Sequence, residues 1–271
     1  MYLDKSLINS LKLSHTSAGV LCKWTFLKDG NIYFAKSGSI NKIGIFTNRQ
    51  PLAEIMAYRL GVQLGFKNVV PTTLFKLHLD KTDSYEEQDI DISCTKNFLN
   101  NGENYIGIYR YFNKKELMDN MLQIYNIIIS RFSFIESDIC CMIIFDFIIF
   151  NIDRHLNNFG LIEKDNRPYK FSPLFDNGLS LFSYFSDEEL SKLSDFHLDK
   201  KLKIKPFNAN SYKQIKLINL DKIHLDLKLS LLNAVIDWDI VFKDLNLSEF
   251  RKSKIKALVE VRLRYVKDLL S

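Results

Sequence analysis

The sequence predicts an α+β fold in two lobes: a β-rich first lobe with one main helix over residues 1–100, and an α-helical second lobe over residues 101–271. Three observations predict it. Strand formers cluster around tight-turn residues in the first forty positions. One stretch of helical apolar spacing follows Pro51. After Asn113 the apolar residues recur mainly at helical intervals. The change of character falls near residues 96–113, and a ligand site between the lobes is the natural consequence.

Taken in order, residues 1–12 have no clear period, and from Leu13 the chain reads as strand. Residues 20–27 are rich in strand formers, Lys28-Asp29-Gly30-Asn31 is a turn signal, and residues 32–36 form a second strand. Residues 37–48 read as a polar loop containing Gly38 and Gly44. Pro51 suits the first turn of a helix, and Leu52, Ile55, Met56, Leu60 and Leu64 carry it to Gly65. Residues 69–79 read as a strand, 80–89 as an exposed loop, 90–94 as a returning strand and 105–112 as another. Residues 114–132 and 137–150 read as helices, the second with Ser137 as N-cap. A strand over 159–163, a turn at 164–167 and a strand ending near Pro173 make a hairpin, with Asn158 at one end and Asp176 at the other. Beyond Gly178 the chain is again helical. The last helix, 248–270, places Ile255, Leu258, Val259, Leu263, Val266 and Leu270 on one face. Its basic residues between Arg251 and Lys267 read as the solvated opposite face.

Composition narrows the function. Of 271 residues, 46% are hydrophobic and 25% charged, as in a globular protein. The net charge of +5 is mild and evenly spread, which argues against direct nucleic-acid binding and suits an anionic ligand or an acidic partner. Cys22, Cys94, Cys140 and Cys141 show neither a disulfide framework nor a metal spacing, so a cytoplasmic location is expected. The start lacks the apolar core of a signal peptide. The longest apolar run, residues 139–150, is too short for a bilayer and carries Asp146, so no membrane association is expected. The five histidines lack the spacing of zinc ligands.

The chemistry concentrates in Asn151-Ile152-Asp153-Arg154-His155-Leu156-Asn157-Asn158-Phe159-Gly160 and in Ser172-Pro173-Leu174-Phe175-Asp176-Asn177-Gly178. Phosphoryl transfer needs positioned magnesium, charge neutralisation and an oriented nucleophile. Asp153 can accept a hydroxyl proton, while the Asn158 amide oxygen and the Asp176 carboxylate are hard oxygen ligands for Mg2+. The Asp-x4-Asn spacing matches the kinase catalytic loop, although the order here is Asp-Arg-His rather than His-Arg-Asp. Each fragment alone is a common turn. Together, behind a buried helix and joined by a hairpin, they read as an ATP- and Mg2+-dependent phosphotransferase. Lys36, at the end of the strand over 32–36, can neutralise the α- and β-phosphates, with Glu54 on the following helix as its partner. Lys23 competes for that role. Neither a Walker A motif nor G-x-G-x-x-G occurs.

Residues 151–162 with residues 172–176 resemble the HipA-like serine/threonine kinases, whose pattern is close to N-x-D-R-H-x-x-N-F-G-[LI], a short hairpin, and a-P-x-[YF]-D. The resemblance implies a bilobal protein-kinase-like fold. It also implies Asp153 as catalytic base, Asn158 and Asp176 as magnesium ligands, His155 as a buried hydrogen-bonding brace and Arg154 as structural. Ala18-Gly19-Val20-Leu21-Cys22-Lys23 resembles the family's phosphate loop, A-G-x-Q-x-K, with Leu21 in place of glutamine. That assigns Ala18, Gly19 and Lys23 to ATP. It further implies autophosphorylation just before that loop, with Thr16 best aligned and Ser14 and Ser17 beside it. The substrate would be a protein bearing a serine or threonine hydroxyl, and the partner an antitoxin or other regulatory protein. Because the phosphate loop begins within twenty residues, the larger N-terminal subdomain that helps longer members contact a DNA-binding antitoxin is expected to be absent. Three rival readings remain, one of them nucleotidyl transfer on a kinase-like fold. Phosphoinositide and small-molecule kinases also use Asp-Arg-His with a downstream asparagine, but the Pro-Leu-Phe-Asp ending favours the HipA side. An ATP-binding pseudokinase acting as an interaction module is disfavoured by the intact Asp153, Asn158 and Asp176.

Overall fold

The computed structural model describes residues 2–4, 8–16, 19–41, 43–83, 85–113, 116, 123–192 and 202–271, with the backbone alone for 8–16 and 19–20. It opens with an antiparallel sheet of five strands: β1 (Ile8–Thr16), β2 (Gly19–Lys28), β3 (Asn31–Ile40), β4 (Thr72–Leu79) and β5 (Gln88–Lys96). Their order is β1-β2-β3-β5-β4. The turn predicted between β2 and β3 forms as a two-residue hairpin, with Asp29 and Gly30 at φ 49° and 71°. This left-handed pair matches the twist of the flanking strands. β1 pairs with β2 from Ile8↔Phe26 to Thr16↔Gly19, so the strand begins well before Leu13.

Helix α1 (Arg49–Gln63) buries Leu52, Ile55, Met56 and Leu60, the residues that the helical spacing selects. Its apolar face joins the larger of two cores, with helix α3 (Glu136–Ile149) at its centre. A smaller core lies on the sheet and includes Trp24, Phe26, Leu77 and Ile92. Helix α3 is apolar almost all round and correspondingly buried. A second sheet, β6 (Glu103–Gly107), β7 (Gly160–Lys164) and β8 (Arg167–Phe171), flanks the Asp153 loop. Gly160 is needed there, because a Cβ would lie 2.1 Å from the Ile106 carbonyl oxygen on the neighbouring strand. Among the described residues, the remaining helices are α2 (Gln123–Arg131), α4 (Asp187–Lys192), α5 (Ser211–Ile215), α6 (Leu225–Asn233), α7 (Trp238–Phe242) and α8 (Glu249–Leu270). Among the described residues, no helix is long and apolar enough to cross a membrane.

Several expectations need correction. The strand read over 105–112 stops at Gly107 and continues as a 3-10 turn, Ile108–Tyr111, because Ile108 N–H and Tyr109 N–H bond to the carbonyls of Phe159 and Leu156. The polar loop from residue 37 is strand as far as Ile40, because after a bulge Ser39 and Ile40 resume the ladder opposite Leu21 and Val20. Ser137 is not the N-cap of α3, since the preceding 3-10 turn (Ser133–Ile135) runs straight into it and Ile135 holds that position. Of the helix read over 114–132, α2 is the described part, and residues 114–115 and 117–122 lie outside the described residues. Nor is the basic face of α8 wholly solvated: Arg251 and Arg262 are buried. Arg262 lies under the rings of Phe147 and Phe150, 4.6 and 4.5 Å from their centroids. Burial pushes its guanidinium down to about 9. Arg251 donates to Asp187 (2.7 Å) and to the carbonyls of Phe182 (3.0 Å) and Phe185 (2.7 Å), tying α8 to the segment downstream of Asp176.

Candidate active site

The Asp153 loop is built from its buried root outward. α3 ends at Phe150, whose φ of 51° turns the chain sharply. Asn151 then folds back on the helix: its N–H donates to the Asp146 carbonyl (2.9 Å), its Nδ2 donates to Asp146 Oδ1 (3.0 Å), and its Oδ1 accepts from Asp153 N–H (3.1 Å). Arg154, fully buried, meets both Asp146 oxygens at 2.8 Å. It also donates to the carbonyls of Asn158 (3.2 Å) and Phe175, and to Asn177 Oδ1 (2.5 Å). One guanidinium therefore fixes the loop to the chain on both sides of Asp176.

Within the loop, His155 N–H donates to the Asp153 carbonyl and Asn158 N–H to the His155 carbonyl, both at 2.7 Å. Asn158 Nδ2 also donates to the Asp153 carbonyl (3.0 Å), which turns its amide oxygen away from that bond. His155 is half-buried, and its Nδ1 accepts from Asn157 N–H at 3.2 Å, so it braces the turn from a less buried position than expected. Burial is the chief influence on its imidazole and leaves its pKa below the ordinary value despite Asp153 and Asp176 nearby. The Asp153 carboxylate is part-exposed and pairs with Lys205 Nζ, 2.7 Å from Oδ1.

From the first lobe, Lys36 on β3 donates to Asp176 Oδ1 at 2.8 Å and lies 3.8 Å from Glu54 Oε1 on α1. Asn177 N–H donates to Glu54 Oε2 at 3.0 Å. Three segments far apart in sequence thus converge on one ammonium. Burial works against the charge of Lys36, but Asp176 and Glu54 outweigh it and hold the ammonium above its ordinary pKa. Burial also opposes the Asp176 carboxylate, yet Lys36, with Lys23 and Arg154 adding to it, holds that group down at about 2. Glu54 goes the other way: burial raises its pKa, and Lys36 only partly offsets this. Asp176 adopts φ 59°, a left-handed conformation that aspartate tolerates more readily than most non-glycine residues.

These groups line a cleft of about 420 Å³. Phe98, Tyr105 and Phe175 form an aromatic triangle on its wall, with centroids 5.3 to 6.0 Å apart. The apolar wall beside paired lysines suits a flat base carrying phosphates. For a metal, the donors would be the Asn158 amide oxygen and the Asp176 carboxylate. No group of three or more His, Cys, Asp or Glu among the described residues is arranged to hold one. That donor set fits Mg2+, which commonly takes one or two protein oxygens and completes its shell with water and phosphate.

Of the residues singled out in the sequence, the structure brings Lys36, Glu54 and Asp176 into contact, with Lys23 on the same cleft and opposite Lys36 in the β2–β3 register. Asp153, Arg154, His155 and Asn158 form one loop. Gly19 begins β2. Ser14 and Thr16 lie on β1 by backbone, while Ser17 and Ala18 lie outside the described residues. Sequence reasoning missed Asp146, Asn151, Asn177 and Lys205, and with them the aromatic triangle. Asn151 and Asn177 stood inside the quoted motifs, and an acid within an apolar run signalled Asp146. Nothing local marks Lys205.

The fold is similar to that of the proinflammatory kinase CtkA of Helicobacter pylori, with a TM-score of 0.64 and 18% identity over 92% of this chain and 94% of that one. It is also similar to the Golgi casein kinase, with a TM-score of 0.53 and 13% identity over 96% of this chain and 73% of that one. No family model and no curated protein matches the sequence. The fold is therefore α+β, bilobal and kinase-like.

Proposed function

We propose that the chain is an ATP- and Mg2+-dependent protein kinase of the HipA-like type that phosphorylates serine or threonine hydroxyls. The observation that carries this is the Lys36 ammonium, 2.8 Å from Asp176 and 3.8 Å from Glu54, on a cleft whose second-lobe side presents Phe175, Asp176 and Asn177, the segment that Arg154 ties to the Asp153–Asn158 loop. Lys36 and Lys23 would neutralise the nucleotide phosphates, and Glu54 would hold Lys36 in place. Asn158 and Asp176 would hold magnesium, which when bound shields the phosphate charge. Asp153 would orient the substrate hydroxyl and take its proton as the oxygen attacks. Arg154 supports both halves of the site without touching substrate. Autophosphorylation at Thr16, Ser14 or Ser17 follows from the resemblance and would add about two negative charges near the nucleotide phosphates.

The test is incubation with radiolabelled ATP and Mg2+, comparing wild type with Asp153→Asn. Label on serine or threonine in wild type, with a loss of at least about 10²-fold in the variant, is expected. Equal labelling of both proteins, or none of wild type, would sink the reading. Intact mass separates phosphoryl from adenylyl addition, and label appearing on lipid alone would favour the phosphoinositide alternative. Phosphopeptide mapping that finds nothing within residues 14–17 would remove the autophosphorylation site.

A further inference from the structure

The Asp153 loop contains two groups able to carry positive charge, and neither is directed at the Asp153 carboxylate. The Arg154 guanidinium is fully buried and committed to Asp146, Asn177 and the carbonyls of Asn158 and Phe175. His155 is kept below its ordinary pKa, chiefly by burial, and its Nδ1 is taken by Asn157 N–H. Among the described residues, the cation that pairs with Asp153 is instead Lys205, 52 residues further along the chain, with Nζ 2.7 Å from Oδ1.

The lysine is delivered by a built support. Its N–H donates to the Ile152 carbonyl at 3.3 Å, and Asp153 and Lys205 lie side by side in a parallel bridge. Ile204 and Ala209 close a small antiparallel bridge behind it. Buried Gln214 on α5 donates to both of their carbonyls, at 2.8 and 2.9 Å. Phe207, between them, is fully buried. The ion pair itself stands at the surface, with side chains 55% and 29% exposed. Pairs of that kind contribute about 0–1 kcal/mol, so stability is a weak reason for so organised a support.

We propose that Lys205 is a positioning residue for phosphoryl transfer, a cation supplied from outside the catalytic loop that orients Asp153. This rests on the phosphotransferase reading. With Oδ1 held by Lys205, Oδ2 is the oxygen left to meet the substrate hydroxyl. In the transfer, the hydroxyl oxygen forms a bond to the γ-phosphorus of a nucleoside triphosphate. The bond from that phosphorus to the bridging oxygen breaks, its electron pair stays on the departing diphosphate, and the hydroxyl proton passes to Asp153. Lys205 acts by fixing the carboxylate, so its loss should slow turnover and leave nucleotide affinity alone.

The test compares wild type, Lys205→Met, Lys205→Gln and Lys205→Arg in full-length protein, with kcat and KM for ATP measured by radiolabel transfer and stability by urea unfolding. Lys205→Met and Lys205→Gln are expected to lower kcat by roughly tenfold or more, with KM for ATP within about twofold and an unchanged unfolding midpoint. Lys205→Arg should recover most of the rate, because it restores a cation at Oδ1. A wild-type kcat in both neutral variants, a loss expressed only in KM for ATP, or a loss that tracks the unfolding midpoint would overturn the proposal while the kinase reading stands. An inactive wild type would overturn both.

Discussion

Arg154 grips Asp146 through two parallel bonds, Nε to Oδ2 and Nη2 to Oδ1, each 2.8 Å long, with the guanidinium fully buried. Asp146 sits on α3 and Arg154 in the loop that follows, so the pair closes the base of that loop. The other donors of Arg154 reach the chain beside Asn158 and beside Asp176. Taking two charges out of water is costly, and replacing such a pair by apolar groups is often neutral or stabilising. The pair is therefore better explained by the positions it fixes than by the stability it adds.

Breaking the pair from one side should be severe. Asp146→Ala leaves the Arg154 charge buried without its carboxylate, and a loss of about 3–5 kcal/mol in urea unfolding is expected. The double variant Asp146→Leu with Arg154→Met should regain much of that stability but little of the phosphotransferase activity. Recovery of both together would mean that the network does not position Asn158 and Asp176.

Lys36 and Glu54 should differ in kind. Lys36→Met removes the cation that faces both Asp176 and the proposed phosphates, and it leaves the buried Glu54 carboxyl without a positive partner. Calorimetry should find ATP affinity reduced roughly 10- to 100-fold, the size of a lost charge-assisted bond. Glu54→Gln keeps an oxygen for Asn177 N–H and should cost less. A larger loss for Glu54→Gln than for Lys36→Met would reverse the assigned roles.

How far these relationships were legible follows from their range. The hairpin turn at Asp29-Gly30, the apolar face of α1 and the Ser248 start of α8 are local, and residue type alone revealed them. Ser248 does accept from Arg251 N–H at 3.2 Å. Lys36 and Glu54 could be paired because kinase chemistry needs a lysine and a partner. Lys205 could not, because its meaning depends on a bridge that joins chain segments 52 residues apart. Arg262 was misread for a related reason. Its spacing on α8 fits a polar face, and only the rings of Phe147 and Phe150, brought from α3 and its end, make that position interior.

The Asp176 carboxyl is held at about 2 in the folded protein, against about 3.9 in an unfolded chain. Its contribution to stability is therefore present above pH 4 and lost as pH falls from about 4 through about 2. Lys36 has its pKa raised, so its own share is full below about 10.4 and fades only above that. Urea unfolding across pH should thus give wild type a steeper loss between pH 4 and 2 than Asp176→Asn. Equal slopes below pH 4 would argue against the ion pair.

Gly160 offers a test of how rigidly Asn158 must be held. A Cβ at Gly160 would lie 2.1 Å from the Ile106 carbonyl oxygen and 2.8 Å from Gly107 Cα. Both are backbone atoms, so β6 and β7 would have to separate. At Gly178 a Cβ meets nothing nearer than Glu54 Oε1 at 3.4 Å, an ordinary contact. Gly160→Ala is therefore expected to destabilise by about 1–3 kcal/mol, and Gly178→Ala by much less. Because Gly160 lies two residues after Asn158, the strand shift should also displace that amide. The Mg2+ concentration needed for half-maximal transfer should then rise in Gly160→Ala while remaining near wild type in Gly178→Ala. If Gly160→Ala loses stability yet keeps its Mg2+ dependence, Asn158 tolerates the shift and its role as a metal ligand is weakened.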